Sequence, residues 1–213
     1  MTDYLAVNRD AYDALSSEYA ARSHEYALRD IFLMAPLLVY LKKAFQYSQV
    51  RILDIGPGSG LNMKICQEHG FSVVGVDISP KIVGNLSRSL PSSELILGDF
   101  LTADIPGSFH GVISKASLHL FPKEDGLKYL QKIDALLLPS GMAYISVTAS
   151  EVSTEGFSQK TDYSGNVVRF KKSWTKSELL LGVWEAGLTV AFENFEAEST
   201  RGKSWLNVYA IKS

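Results

Sequence analysis

The stretch that decides the fold is Asp54-Ile55-Gly56-Pro57-Gly58-Ser59-Gly60. It follows a short apolar run, residues 50–55, of the kind that forms a buried parallel strand, and it opens a helical pattern that starts at Leu61. Three alternate glycines allow a tight turn and a close approach of ligand atoms to the backbone. A plain strand-to-helix turn requires neither these glycines nor the preceding acid. Residues 54–60, here called the glycine loop, therefore predict a ligand-binding site.

The spacing within the glycine loop separates classes of ligand. A dinucleotide-binding loop has the pattern G-x-G-x-x-G, which seats a pyrophosphate on the helix N-terminus, and a P-loop ends in G-K-[ST]. This chain instead has G-x-G-x-G after an acid. The pattern favours a ligand without phosphates that has a nucleoside and an amino acid end, and the carboxylate of Asp54 suits an amino group.

Two more acids follow predicted strands. Asp77 ends the second strand, about 20 residues after the glycine loop, where an acid can accept hydrogen bonds from ribose hydroxyls. The alternative for Asp77 is a helix N-terminal charge beside Ser79. After the third strand, Asp99 can accept from an adenine amino group while Phe100 packs on the ring. All three acids stand at the carboxyl ends of strands, where open α/β sheets bind ligands.

Strands alternate with helices along most of the chain, which predicts βαβ units and a parallel sheet. The predicted strands are residues 50–55, 71–77, 95–97, 111–114 and 142–148, followed by two β-like runs at 188–195 and 204–211 that we expect to be antiparallel. The predicted helices are residues 8–21, 30–45, 61–69, 80–90, 124–137 and 175–186. Ser79 and Thr175 are expected N-caps, with Glu178 completing a capping box, and Pro36 is expected at a kink or in a first turn. The polar stretch 150–173, with a turn at residues 163–166, is expected to cover the active site.

Composition narrows the function further. The 213 residues are 46% apolar and 21% charged with a net charge of -2, as in soluble globular proteins, and no dense Lys/Arg run points to nucleic acid. The lone Cys66 excludes an internal disulfide and is expected to be buried, and no ligand spacing suggests a metal. The N-terminal sequence does not fit a signal peptide, and the apolar window 31–40 is too short for a membrane span, so we expect a cytoplasmic protein.

At this point the chain resembles the class I, Rossmann-like S-adenosylmethionine-dependent methyltransferases of the small-molecule type. The resemblance covers residues 8–212 and rests on residues 52–60, 73–79 and 98–100. It implies a three-layer αβα sandwich with a seven-stranded, mostly parallel sheet whose last strand is antiparallel. It also implies one domain, residues 1–213, in which residues 1–47 form a helical cap over a core at 48–213.

The resemblance implies S-adenosylmethionine as cofactor and S-adenosylhomocysteine as product. Gly56, Gly58 and Gly60 would approach the methionine part, and Tyr19 and Arg22 would reach its carboxylate. The cofactor-binding residues that it implies are Tyr19, Arg22, Asp54, Gly56, Pro57, Gly58, Gly60, Asp77, Ile78, Asp99, Phe100 and Lys115.

The sequence constrains the methyl acceptor less than it constrains the cofactor. Residues 114–122 contain neither the [ND]-P-P-[YF] tetrad of amino-methylating nucleic-acid enzymes nor a Pro-Cys nucleophile, which favours a small-molecule substrate. His119 is the candidate general base, with a structural histidine as the alternative. Arg169 and Arg201 could bind an acidic substrate, although solvated charge is the commoner role, and Trp205 is expected in the core. A monomer or homodimer is expected.

The amino-acid sequence alone leaves three other functions open. They are a non-catalytic S-adenosylmethionine-binding regulator, a methyltransferase with a protein or RNA acceptor, and a nicotinamide-dependent oxidoreductase on a similar sheet.

Overall fold

A seven-stranded sheet organises the computed structural model, which describes residues 3–46, 49–161, 163, 167–198 and 203–213. The strands are β1 Arg51–Ile55, β2 Ser72–Asp77, β3 Glu94–Leu97, β4 Phe109–Lys115, β5 Leu137–Ala149, β6 Thr154–Lys160, β7 Val167–Ser173, β8 Leu188–Glu198 and β9 Lys203–Lys212. The helices are α1 Tyr4–Ala21, α2 Ala27–Ala44, α3 Leu61–Glu68, α4 Pro80–Ser89, α5 Lys123–Leu136 and α6 Lys176–Glu185, with short 3₁₀ turns at Ser23–Tyr26 and Leu118–Leu120.

The strand order in the main sheet is β3-β2-β1-β4-β5-β9-β8. Strands β1 to β5 are parallel, and β9 runs antiparallel to both of its neighbours. The predicted sheet, with its antiparallel last strand, is therefore confirmed. The strand order reverses between β1 and β4, and in open α/β sheets ligands bind at the carboxyl ends of the strands beside such a reversal.

Alternate residues of the central strands pack on opposite faces of the sheet. Ile52 belongs to the apolar cluster formed with α2 and α3, which includes Leu37 and Met63. Its neighbour Leu53 belongs to the cluster formed with α5 and α6, which includes Ile133. Because side chains alternate along a strand, one continuous apolar run supplies both faces of a sheet that helices cover on each side. This produces the expected three-layer sandwich.

Some predicted boundaries were wrong, for identifiable reasons. Helix α1 starts at Tyr4 rather than near residue 8, because the carboxylate of Asp3 caps it by accepting from Leu5 N at 3.0 Å. Pro36, which was expected at a kink or in a first turn, lies in the interior of α2. Strand β5 begins at Leu137, which the sequence pattern had assigned to a helix, because Leu137 pairs with Phe109.

The caps behave partly as expected. The hydroxyl of Ser79 accepts from Ile82 N at 3.1 Å, and that of Thr175 accepts from Glu178 N at 3.2 Å. The carboxylate of Glu178, however, accepts from Lys172 Nζ at 3.1 Å. It thus serves an ion pair with strand β7.

The polar insertion forms an antiparallel hairpin of β6 and β7, here called the hairpin, with Lys160 opposite Val167. The predicted turn falls between these two residues, and Ser164, Gly165 and Asn166 lie outside the described residues. Cys66 is buried, as expected. Among the helices in the described part of the chain, none has the length and apolarity that crossing a membrane requires.

Candidate active site

A deep cleft runs across the carboxyl ends of the strands, from β3 to β9. The segments after β3, β2 and β1 contribute Asp99, Asp77 and the glycine loop to one half. The end of β4 contributes Lys115, the turn that follows it contributes His119, and β9 contributes Trp205 to the other half. Helix α1 and the hairpin also line the cleft and form part of its cover.

The glycine loop presents its backbone to the cleft. Gly56 and Gly58 have φ values of +69° and +56°, which side chains other than glycine rarely adopt. A Cβ at Gly56 would lie 3.2 Å from Ser117 Oγ, so glycine also keeps this approach open. Pro57 and Gly58 line the cleft with it.

Gly60 has a different place from the one expected. It does not line the cleft, and a Cβ on it would lie 2.5 Å from Leu86 Cδ2 of α4. Its φ of +78° starts helix α3 close against α4. Gly60 therefore serves the packing of α3 against α4 and does not line the cleft.

Asp54, the first residue of the glycine loop, is buried and does not line the cleft. Its side chain is 1% exposed, and within the described residues its Oδ2 atom has no hydrogen-bond partner. Burial raises the pKa of Asp54 to about 7, against the opposing charge of Lys115. Asn62, which the sequence analysis missed, lines the cleft and has a similarly buried Oδ1 without a described partner. Buried acceptors are normally satisfied, so both oxygens fit a site built for a ligand that donates hydrogen bonds.

Asp77 lies where the sequence predicts, at the end of β2 and in the cleft lining, beside Ile78. Its Oδ1 accepts from Ser79 N at 2.8 Å. Burial raises its pKa to about 6, although backbone N–H groups that include Ser79 favour the charged form. A carboxylate held in this way can accept hydroxyl donors from a ligand.

Asp99 and Phe100 also line the cleft. The carboxylate of Asp99 accepts from Leu101 N at 3.2 Å and from Thr102 Oγ1 at 3.1 Å. The Phe100 ring is buried against Tyr129, with ring centroids 4.5 Å apart. Phe100 is thus part of the core as well as of the cleft wall.

Lys115 contributes to the site through an ion pair. Its ammonium donates to Oδ1 of Asp30, a buried residue of α2 that also lines the cleft. No local sequence pattern singles out Asp30, because its partner is 85 positions away along the chain. The pair links helix α2 to the end of β4.

The two residues that were expected to reach the methionine carboxylate, Tyr19 and Arg22, differ in whether they line the cleft. Tyr19 lines the cleft and stacks on Tyr163, with ring centroids 4.6 Å apart. Arg22 does not line it; its guanidinium pairs with Glu18 and Glu25 and lies 4.7 Å above the Tyr163 ring. Arg22 therefore supports the cover from outside the cleft lining.

His119 lies in the cleft wall with 2% of its surface exposed. Its Nδ1 accepts from Thr148 N at 3.4 Å, so in the neutral ring the hydrogen is on Nε2. Burial lowers its pKa well below the usual value, and the charges of Arg169, Lys171, Lys160 and Lys203 lower it further. His119 is therefore neutral near pH 7 and is a donor through Nε2.

Two expectations about the C-terminal half are wrong. Arg169 is not solvated: it is 7% exposed and lines the cleft, where its Nη1 donates to the hydroxyl of Tyr12 at 2.9 Å. Trp205 is only partly buried and lines the cleft beside His119, with ring centroids 5.9 Å apart. Arg201 lies outside the described residues.

A buried asparagine that the sequence analysis missed connects the elements that cover the cleft. Asn8 of α1 donates through Nδ2 to Leu120 O at 3.0 Å and accepts at Oδ1 from Phe170 N at 2.8 Å. One side chain thus connects α1, the turn after β4 and the hairpin. Over the described ranges, no group of three or more His, Cys, Asp or Glu side chains is arranged to hold a metal.

Comparison with known proteins agrees with this geometry. A family model described as a methyltransferase domain matches residues 52–141, from β1 into β5. Over residues 52–141 the chain is therefore similar to a methyltransferase domain. Among solved structures, this domain resembles magnesium protoporphyrin IX methyltransferase from Synechocystis PCC 6803, with a TM-score of 0.73, 16% identity and coverage of 100% of this chain and 99% of that one. It also resembles 1,6-didemethyltoxoflavin-N1-methyltransferase from Burkholderia thailandensis, with a TM-score of 0.66, 22% identity and coverage of 93% and 87%.

Curated relatives of the methyltransferase domain differ in acceptor. The chain is 46% identical over 74 residues to 18S rRNA (guanine-N(7))-methyltransferase bud23 from Schizosaccharomyces pombe, covering 32% of this chain and 26% of that protein. It is 30% identical over 124 residues to glycine/sarcosine N-methyltransferase from Parasynechococcus marenigrum, covering 54% and 44%. The chain therefore spans less than half the length of either relative.

Proposed function

We propose that this chain transfers the methyl group of S-adenosylmethionine to a small-molecule acceptor. The observation that carries the proposal is the cleft across the strand ends. One half of the cleft contains two acids and a glycine loop that lacks a phosphate-binding pattern. Helix α1, the hairpin and β9 form the wall of the other half. The methyltransferase relatives support the reaction class.

The residues present fit the proposed cofactor. Gly56 and Gly58 leave room for the amino acid part, and the buried oxygens of Asp54 and Asn62 are acceptors available to its amino end or to a bridging water. Asp77 would accept from the ribose hydroxyls and Asp99 from the adenine amino group. Together these groups account for both ends of a nucleoside-linked amino acid.

When bound, the cofactor supplies a methyl group on a positively charged sulfur, which is already an activated leaving group. The protein's task is then to align the acceptor and exclude water. Helix α1 and the hairpin, held together by Asn8, perform the exclusion. His119 lines the cleft as a neutral ring with its hydrogen on Nε2, so we assign it the role of a donor that orients the acceptor, in place of a general base.

The half of the cleft that contains His119 and Arg169 is here called the acceptor half. Its enclosure suits a small molecule. His119 and Arg169 are both buried, and Arg169 belongs to the hairpin that forms part of the cover. A base within an RNA chain would need to enter past these elements. An RNA acceptor is the second candidate, because the Schizosaccharomyces pombe relative is an rRNA methyltransferase.

The first test is calorimetric titration of the purified chain with S-adenosylhomocysteine and, separately, with NAD. We expect saturable binding of the homocysteine nucleoside, weakened by about 1–3 kcal/mol in Asp77→Ala, the scale of a hydrogen bond to a charged group. Asp10→Ala, an exposed change on α1, should leave the affinity unchanged. Tight NAD binding without S-adenosylhomocysteine binding would overturn the proposal.

A second test separates an enzyme from a non-catalytic binding protein. S-adenosylhomocysteine release is followed with S-adenosylmethionine and either a pool of small metabolites or total ribosomal RNA. Release that depends on the small molecules supports the proposal, while release with RNA alone supports the second candidate. Cofactor binding without release in either case would indicate a regulator.

A further inference from the structure

Helix α2 is apolar on the face that points away from the sheet as well as on the face that packs against it. The packed face contributes Leu37 and Leu41 to the core. A surface helix normally carries polar residues on its outer face, and a helix that is apolar all round is normally buried. Between residues 28 and 41, however, every exposed side chain of α2 is apolar, and these six residues are here called the outer face: Leu28, Ile31, Phe32, Ala35, Pro36 and Val39.

The outer face is large and strongly exposed. Leu28 is 86% exposed and Phe32 is 73% exposed. The exposed Phe192 of β8 adds to it on the same side of the sheet, because its ring lies 5.5 Å from that of Tyr209, whose hydroxyl donates to Leu33 O. With Phe192, the outer face exposes roughly 600–700 Å² of apolar surface, close to the area of about 800 Å² that each partner buries in an interface of standard size. Monomeric proteins rarely expose a contiguous apolar patch of that extent.

We infer that the outer face of α2 is the surface through which two copies of this chain associate about a two-fold axis. The inference goes beyond the proposed function and does not depend on it. Besides the exposed area, the order of the residues along the helix and the charges at its two ends support a second copy as the partner.

The order of residues along the outer face fits antiparallel packing of α2 against α2 of a second copy. Ala35 and Pro36 stand at the centre, where small side chains let two helices approach closely. Phe32 precedes this centre by three residues, and Val39 follows it by three. A two-fold axis at the centre therefore places Phe32 of each copy beside Val39 of the other. Contact of one patch with the same patch on a second copy defines an isologous interface.

The charges at the two ends of α2 complement each other in this arrangement. Lys42 and Lys43 in the last turn are exposed, and neither has an ion-pair partner among the residues that the structure describes. Across the axis they would lie at the N-terminal end of the other α2, where Glu25 and Glu196 are. Both acids already accept from an arginine of their own chain, but a carboxylate has acceptor sites for more than one cation.

The same acids argue against a membrane as the partner. Helices that lie on lipid surround their apolar face with Lys and Arg, which attract anionic headgroups. Here Glu25 and Glu196 border one end of the outer face, and anionic headgroups would repel them. A second copy brings lysines to that end instead.

The oligomeric state of the chain is the first test, measured by analytical ultracentrifugation at micromolar concentrations. We expect a species with twice the mass of one chain and a dissociation constant in the micromolar range or tighter, as for interfaces of this size. Phe32→Glu should weaken the association about thirtyfold or more, because it places a charge within the apolar contact. Trp184→Glu, which changes a similarly exposed aromatic residue on α6, is the matched control and should leave the association unchanged.

Chemical cross-linking tests the arrangement of the two helices. The one cysteine of the chain, Cys66, is buried, so a bismaleimide with a short spacer reacts with a newly introduced surface cysteine. Ala35→Cys, beside the proposed axis, should join two copies covalently. Leu28→Cys should not, since the two copies of residue 28 would lie about 20 Å apart along the paired helices.

The outcomes decide the inference in either direction. A chain that stays monomeric at micromolar concentrations refutes it, as does a dimer that Phe32→Glu leaves intact or cross-linking that is equally rapid from Leu28→Cys and Ala35→Cys. Flotation of a monomer with vesicles of phosphatidylcholine and phosphatidylglycerol would assign the outer face to a membrane instead. If circular dichroism shows that Phe32→Glu does not fold, the two cysteine variants decide. S-adenosylhomocysteine binding enters none of these measurements, so this inference and the proposed function can fail separately.

Discussion

The carboxylate of Asp13 on α1 accepts a hydrogen bond from the hydroxyl of Ser79, the N-cap residue of α4. It also accepts from the backbone N–H of Lys81 at 3.2 Å. Helix N-termini favour negative charge, so this acid adds to the capping of α4 from a distant part of the chain. Because Ser79 N also donates to Asp77, the position of the helical cap is connected to a residue of the proposed cofactor site.

Asp13→Ala should therefore loosen the cap. We expect a loss of about 1–2 kcal/mol in the free energy of unfolding, the upper part of the range for a lost helix cap, and faster proteolysis within residues 3–21. Urea unfolding and limited proteolysis measure these effects. Asp10→Ala is the control, since Asp10 is exposed and pairs with its neighbour Arg9. Equal effects of the two changes would contradict the assigned role of Asp13.

Removal of the Asn8 side chain should separate α1 from the hairpin. Asn8→Ala leaves the Leu120 carbonyl and the Phe170 N–H without their partner, at a cost of about 1–3 kcal/mol. The change should also speed hydrogen exchange at the Phe170 amide. Ser17→Ala, an exposed change on the same helix, should do neither. Unaltered exchange at Phe170 would argue against a covering function for the contact.

Three glycine-to-alanine substitutions should have graded effects. Gly60→Ala combines a positive φ with a 2.5 Å contact to Leu86, and we expect it to destabilise the fold by about 1–3 kcal/mol. Gly70→Ala has a positive φ but open space, so we expect about 1 kcal/mol from strain alone. Gly84→Ala, in a helix interior with open space, should stabilise the chain by about 1 kcal/mol. Thermal unfolding of the three variants gives the order, and a milder effect at Gly60 than at Gly70 would contradict the packing argument.

Cofactor binding should release protons. Burial holds the pKa of Asp54 near 7 and that of Asp77 near 6, and ligand groups that donate hydrogen bonds favour the charged carboxylates. Affinity for S-adenosylhomocysteine should therefore rise between pH 5.5 and pH 7.5 in steps of about tenfold or less per pH unit. Calorimetry in buffers of different ionisation enthalpy counts the protons. Asp77→Asn should remove the component near pH 6, and affinity that falls with rising pH would refute the prediction.

His119 should stay neutral through the physiological range. Its pKa is lowered in the fold, so the unfolded chain binds the proton more readily, and the stability that neutral His119 allows is present above about pH 6.5 and is lost as the pH falls below it. Carboxyl groups whose pKa is raised by burial, such as that of Asp54, have the opposite effect on stability, because they favour the fold at low pH. An NMR titration should show no inflection for the His119 ring between pH 6.5 and pH 8, with His119→Gln providing the assignment. An inflection near pH 7 would restore the role of general base.

Sequence alone determined the sheet and the half of the cleft that we propose binds the cofactor. The glycine loop, Asp77 and Asp99 each stand directly after an apolar strand, and the ends of parallel strands meet at one edge of a sheet. Local spacing was therefore enough to bring them together. It was not enough for Gly60, whose packing depends on Leu86 of another helix, nor for Arg22, whose partners draw it out of the cleft lining.

Only the tertiary structure decided the half of the cleft that we propose holds the acceptor. Asn8, Asp30, Arg169 and Trp205 come from four separate elements, and they meet because β9 inserts beside β5 and the hairpin folds back over α1. In the sequence, Arg169 is one charge in a polar stretch, indistinguishable from a solvated one. Its burial involves the contact with Tyr12, which lies more than a hundred positions away along the chain, and spacing in the sequence has no signature for such a contact.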